Sequence, residues 1–98
     1  MDAVERIVYY EEICDDAMEK VSNLQKALDQ YQRILPKFNE LKEYYQSPLW
    51  RKDRDDDANG VIPQNLKRGI LSEDGIWNLL TDEIEVLNRL KDLDASQP

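Results

Sequence analysis

The chain has 98 residues, with 13 Lys and Arg against 21 Asp and Glu and a formal net charge of −8. At 41% apolar and 35% charged it reads as one small globular domain, and its acidity weighs against phosphate backbones and anionic membranes. It has no histidine and a single cysteine, Cys14, which excludes a His base, an intramolecular disulfide and a Cys/His zinc site within one chain.

The charge is unevenly spread. Residues 1–47 carry six basic and ten acidic groups, 48–71 five and four, and 72–98 two and seven. Met1-Asp2-Ala3-Val4-Glu5 lacks the basic and apolar regions of a signal peptide, and no apolar run approaches the ~20 residues needed to cross a bilayer. The expected setting is the cytoplasm, with no nucleic acid and no membrane among the partners.

From the first residues the chain repeats in heptads. Positions 3, 7, 10, 14, 17, 21, 24, 28, 31, 35, 38, 42 and 45 are Ala3, Ile7, Tyr10, Cys14, Ala17, Val21, Leu24, Leu28, Tyr31, Leu35, Phe38, Lys42 and Tyr45, with Lys42 the one charged member. Such a stripe predicts one long coiled-coil-type helix, widened on one side by Ile13, Ala27, Ile34 and Leu41. Asp16–Lys20 and Asp29–Arg33 are i,i+4 pairs on the polar side. Pro36 removes a backbone donor and crowds the carbonyl of Gln32, but the heptad phase continues past it. A kink is therefore expected rather than a break. Cys14 lies within the stripe beside Asp15 and Asp16, the setting of a small packing residue and not of an activated thiol.

Between Tyr44 and Leu80 the composition changes, with both tryptophans, all three glycines and Pro48 and Pro63 within it. Ser47-Pro48 reads as an N-cap followed by proline at the first helical position. The short helix after it is expected to turn Leu49 and Trp50 inward and Arg51, Lys52 and Arg54 outward. It should stop in the Asp-rich run that ends at Gly60. Val61-Ile62-Pro63 follows, with Leu66, Ile70 and Leu71 expected to tuck the segment in and Gly69 to supply a turn.

Two features there carry chemical content. Asp55-x-Asp57-x-Asn59-Gly60-Val61-Ile62 follows the first eight positions of an EF-hand-type loop, so Asp55, Asp57 and Asn59 are candidate ligands for calcium or magnesium. The pattern then fails, because Pro63 stands at position 9 and Leu66 where a bidentate Glu belongs. An Asp-rich solvated loop ending a helix is the competing reading, and no other cofactor is indicated. Lys67-Arg68-Gly69, ahead of a helix start, offers basic groups to an anion, but Ser72, Glu73 and Asp74 already fill that terminus. Surface pairing of Lys67 or Arg68 with nearby acids is the simpler expectation.

A second long helix should open at the Ser72 cap, with Leu71 and Ile76 as a hydrophobic staple, and end near Leu93. Its apolar face is Ile76, Trp77, Leu80, Ile84, Leu87 and Leu90, and Trp77 is expected to pack near Trp50 or Tyr45 as the structural centre. The predicted architecture is all-α: a long Pro-kinked helix, a short helix with an Asp-rich loop, and a second long helix packing back antiparallel as a hairpin. One helical domain is expected over 1–94, with 95–98 as a disordered tail.

The run Leu66-Lys67-Arg68-Gly69-Ile70-Leu71-Ser72-Glu73-Asp74, followed by Trp77, resembles a signature of small bacterial helical proteins catalogued only as a domain of unknown function. Leu35-Pro36-Lys37 and the Tyr44-Tyr45/Trp50 region extend the likeness along the chain, with Trp50, Lys67, Arg68, Gly69, Ser72 and Trp77 as its marker residues. The resemblance supports the helical fold and implies no activity.

The second helix is about half as long as the first at ~1.5 Å per residue, so folded back it leaves Ile7 through Leu24 uncovered. Self-association, with two first helices paired antiparallel as a homodimer, would bury both strips. The expected function is thus a non-catalytic, self-associating interaction module with a further protein partner. A divalent-cation protein using the Asp55–Gly60 loop is the alternative. An enzyme working with carboxylates alone needs two matched acids, and no spacing singles out a pair.

Overall fold

The computed structural model describes residues 1–98 and contains helices and no strand. Helix α1 spans Ala3–Tyr45, α2 spans Pro48–Ala58, a 3₁₀ turn covers Gly69–Leu71, and α3 spans Glu73–Ser96. The fold is the expected all-α one, with a long helix, a short one and a second long one in that order. The chain divides into two units, Met1–Leu41 and Lys42–Pro98.

The first unit is helix alone. Asp2 starts it: its carboxylate accepts from the Glu5 amide at 2.8 Å and its carbonyl from the Arg6 amide at 3.0 Å, which satisfies donors that a helix start leaves open. Helix α1 runs unbroken through Pro36, as the uninterrupted heptad phase predicts. Asp16–Lys20 closes on the polar side at 2.8 Å. Every residue from Met1 to Gln30 is exposed, the apolar stripe included, because a lone helix has nothing within its own unit to pack against.

The second unit has the buried residues of the protein, Trp50 at 6% exposure and Ile76 at 2%. Helix α2 begins at Pro48 behind Ser47, whose hydroxyl does not cap it but donates back to the Tyr44 carbonyl at 2.7 Å. It continues through Asp55-Asp56-Asp57, further than its helix propensities suggest. Two ion pairs hold that turn, Lys52–Asp56 at 3.0 Å and Arg68–Asp57. Helix α3 runs past Leu93 to Ser96, where the Ser96 hydroxyl donates to the Leu93 carbonyl at 2.8 Å.

Several inward and outward assignments change. Trp77 is 62% exposed and is not the structural centre; Ile76, one residue and about 100° earlier on the helix, takes that place. Leu49, Leu66 and Ile70 are exposed as well, while Leu71 and Ile62 are half-buried. Arg54, expected outside, lies half-buried over the Trp50 ring.

Candidate functional site

The unusual residues of the central stretch converge on Trp50. Its indole N–H donates to the carbonyl of Ile70 at 2.8 Å, across twenty residues of sequence, so the ring is buried without stranding its one polar atom. Tyr45, the last residue of α1, meets the ring edge-to-face with centroids 4.9 Å apart. The Arg54 guanidinium sits 5.1 Å from the ring centroid and donates to Glu73 at 3.0 Å, linking α2 to the first residue of α3.

Around this centre the polar groups are committed to one another. The Tyr44 hydroxyl donates to the Asp53 carboxylate at 2.6 Å. Burial, then that hydrogen bond and the carboxylate's charge, push the phenol up to about 12 from its ordinary 10.0. Lys42, the one charged member of the heptad stripe, pairs with Glu83 on α3 at 2.7 Å, with side-chain exposures of 29% and 9%. A charge in an apolar register was the one signal in the sequence that could have pointed to this pair.

The two chemical candidates turn out to be partners of each other. Arg68 donates to Asp57, to the carbonyl of Pro63, and to the carbonyl of Leu66 at 3.3 Å. The basic corner is thus a clamp on the Asp-rich segment, with Lys67 left exposed at the surface. Asp55 and Asp57 stand on the last turn of a helix and not on a loop, and residues two apart on a helix point away from each other. Asn59 is the C-cap and Gly60 follows at φ +73°. The Gly60 amide donates to the Asp57 carbonyl at 3.1 Å and the Val61 amide to the Asp56 carbonyl at 2.9 Å, which is a Schellman ending. No group of three or more Asp, Glu or Cys side chains comes together to hold a metal ion.

The start of α3 is built as predicted and then tightened. Ser72 accepts from the Gly75 amide at 3.0 Å and donates to the Gly69 carbonyl at 2.9 Å. Gly69 opens the 3₁₀ turn without a positive φ, and a Cβ there would meet open space. Gly75 is the glycine required by contact: a Cβ on it would stand 2.5 Å from the Gly69 carbonyl oxygen and 2.9 Å from Ser72 Oγ. Nothing near Gly75 in the sequence marks such an approach.

What the molecule presents outward is apolar surface. On α1 these residues include Ile7, Tyr10, Ile13, Met18, Val21, Leu24 and Leu28. A shallow open hollow runs along Cys14, Ala17, Met18 and Val21, and another along Arg6, Ile7, Tyr10 and Glu11. On α3, Trp77, Ile84, Val86 and Leu93 are exposed.

Together these features define a small all-α protein in which no helix is long and apolar enough to cross a membrane. The chain belongs to the family described as Domain of unknown function (DUF4298), whose family model matches residues 7–93 and so takes in most of both long helices. No curated protein and no solved structure matches it.

Proposed function

We propose that this protein is a non-catalytic, cytoplasmic interaction module that associates with a second copy of itself through the apolar stripe of α1. The observation that carries this is the exposure of the stripe: Ile7 stands at 62%, Val21 at 64% and Leu24 at 53% on the part of α1 that forms a unit by itself. Monomeric proteins rarely expose so long a continuous apolar strip. The 24 residues of α3 could span little more than half of the 43 in α1 wherever it lay, so intrachain packing alone cannot cover the whole stripe.

Area supports a second copy as the occupant. Eight side chains, Val4, Ile7, Tyr10, Ile13, Met18, Val21, Leu24 and Leu28, offer roughly 100 Å² each, and about 800 Å² per partner is what a standard stable interface buries. A heptad stripe is also complementary to itself, since each knob meets a hole of the same pattern. The non-catalytic reading rests on the lack of histidine and on the way the half-buried polar side chains of the second unit are spent on Tyr44–Asp53, Lys42–Glu83 and Arg68–Asp57. A further protein partner would use the surface left open on α3 around Trp77. The divalent-cation alternative has no comparable observation behind it. Sedimentation or light scattering at micromolar concentration tests the proposal: twice the 11.6 kDa chain mass is expected, and the mass of one chain overturns it.

A further inference from the structure

Resting on that self-association, we infer that the two α1 helices pair antiparallel about a two-fold axis between Cys14 and Ala17. The boundaries of the exposed stripe set the register. Its uniformly exposed positions run from Ala3 to Leu28, and the next one, Tyr31, is half-buried. Full pairing of that strip with its own copy, antiparallel, requires facing positions to sum to 31. Ala3 then faces Leu28 of the partner subunit, Ile7 faces Leu24 of the partner subunit, Tyr10 faces Val21 of the partner subunit, and Cys14 faces Ala17 of the partner subunit.

Side-chain size favours this arrangement. The antiparallel register sets the bulky Tyr10 against the smaller Val21 and the small Ala3 against Leu28, so the facing volumes even out along the seam. A parallel pair in register would instead oppose Tyr10 to Tyr10 and Ala17 to Ala17 within two turns, overfilled and then underfilled. The waist formed by Cys14 and Ala17 lies at the axis, where the two backbones approach most closely, and the hollow along Cys14, Ala17, Met18 and Val21 has the i, i+3, i+4, i+7 spacing of a hole that receives a knob.

Charge points the same way. Residues 2–15 carry five acids and one base, whereas 16–29 carry three acids and two bases. Parallel alignment sets the two −4 halves side by side; antiparallel alignment sets each against a −1 half. On the flanks, Glu11 comes beside Met18 of the partner subunit and Ile13 beside Lys20 of the partner subunit, with no like charges opposed. A parallel pair would gain Arg6–Glu11 across the seam, an exposed ion pair of a kind that contributes little.

Disulfide trapping in the full chain, with Cys14→Ala removing the native thiol, tests orientation and register. Ile7→Cys alone, Leu24→Cys alone, and the two together are oxidised mildly and run without reductant. In the proposed register the thiols at 7 and 24 of opposite copies meet, whereas 7 and its own copy lie about 25 Å apart. The double variant should cross-link to a dimer at least ten times faster than either single one. Ala3→Cys with Leu28→Cys, at the ends of the strip, should behave in the same way and guards against a local packing defect at 7, with circular dichroism checking that each variant stays helical. Single variants that cross-link as readily as the doubles would establish a parallel pair and overturn the inference. A dimeric mass with neither double pair cross-linking would overturn the register. A monomeric mass would remove the self-association reading on which both depend.

Discussion

The Lys42 ammonium lies 2.7 Å from the Glu83 carboxylate, tying the last turn of α1 to the middle of α3 through the one charged residue of an otherwise apolar heptad stripe. Glu83 retains 9% of its side-chain exposure, so each charge depends on the other to offset its loss of water. Losing one partner should therefore hurt more than replacing both. Glu83→Ala is expected to cost about 2–4 kcal/mol in urea unfolding, and Lys42→Met with Glu83→Leu to recover most of that. A double variant no more stable than the single one would contradict this account.

The two tryptophans should answer differently to the same treatment. Trp50 is buried with its indole N–H bonded to the Ile70 carbonyl, and Trp50→Ala should cost about 3–5 kcal/mol. Trp77 is exposed, and Trp77→Ala should change unfolding by less than about 0.5 kcal/mol. Acrylamide quenching gives a second reading: the Trp50→Phe variant, with only Trp77 left, should be quenched far more readily than the Trp77→Phe variant.

Much of the architecture was legible in the sequence. The heptad phase through Pro36 gave α1 as one helix, Pro48 and Gly60 bracketed α2, and Ser72 marked the start of α3. The facing of adjacent apolar residues was not legible. Ile76 and Trp77 are equally apolar neighbours, and the choice between them is made by the packing of α3 against the 3₁₀ turn, which no local pattern encodes. The calcium-like spacing is ambiguous for a related reason. The same Asp55, Asp57 and Asn59 suit a loop or a helix end, and the long-range Arg68–Asp57 pair, with Lys52–Asp56 beside it, selects the helix. Addition of millimolar calcium or magnesium should accordingly leave the melting temperature within about 1 °C, and a rise of several degrees would restore the metal reading.

Alkaline pH should loosen the second unit through Tyr44. Its folded pKa of about 12 stands above the ordinary 10.0, because burial and the bond to Asp53 favour the neutral phenol. Its contribution is therefore complete below pH 10 and is lost as pH rises from 10 through 12. The exposed Lys52 runs in the same direction, its ammonium held charged by the hydrogen bond to Asp56. Tyr44→Phe should cost about 1–2 kcal/mol at neutral pH and flatten the decline above pH 10. An unchanged alkaline profile in that variant would contradict the role given to the hydroxyl.

At the start of α3 the close approach of two backbone segments sets the outcome. Gly75→Ala would ordinarily favour a helix, yet its Cβ meets the Gly69 carbonyl oxygen at 2.5 Å, so the variant should lose about 1–3 kcal/mol. Gly69→Ala meets open space and should stay within about 0.5 kcal/mol of the parent. Ser72→Ala, which removes the cap to the Gly75 amide, should cost about 1 kcal/mol. Equal effects at the two glycines would argue against the packing described.

The exposed stripe of α1 is tested most directly by the mass of the protein in solution, measured by sedimentation equilibrium at micromolar concentration beside a Val21→Glu variant. Val21 is 64% exposed within one chain, so the substitution costs an isolated chain little but places a charge in the paired seam. The parent should sediment at twice the chain mass and Val21→Glu at or near the mass of one chain, with its helical content kept in the second unit. A parent at the mass of a single chain, or a dimer untouched by Val21→Glu, would contradict the account.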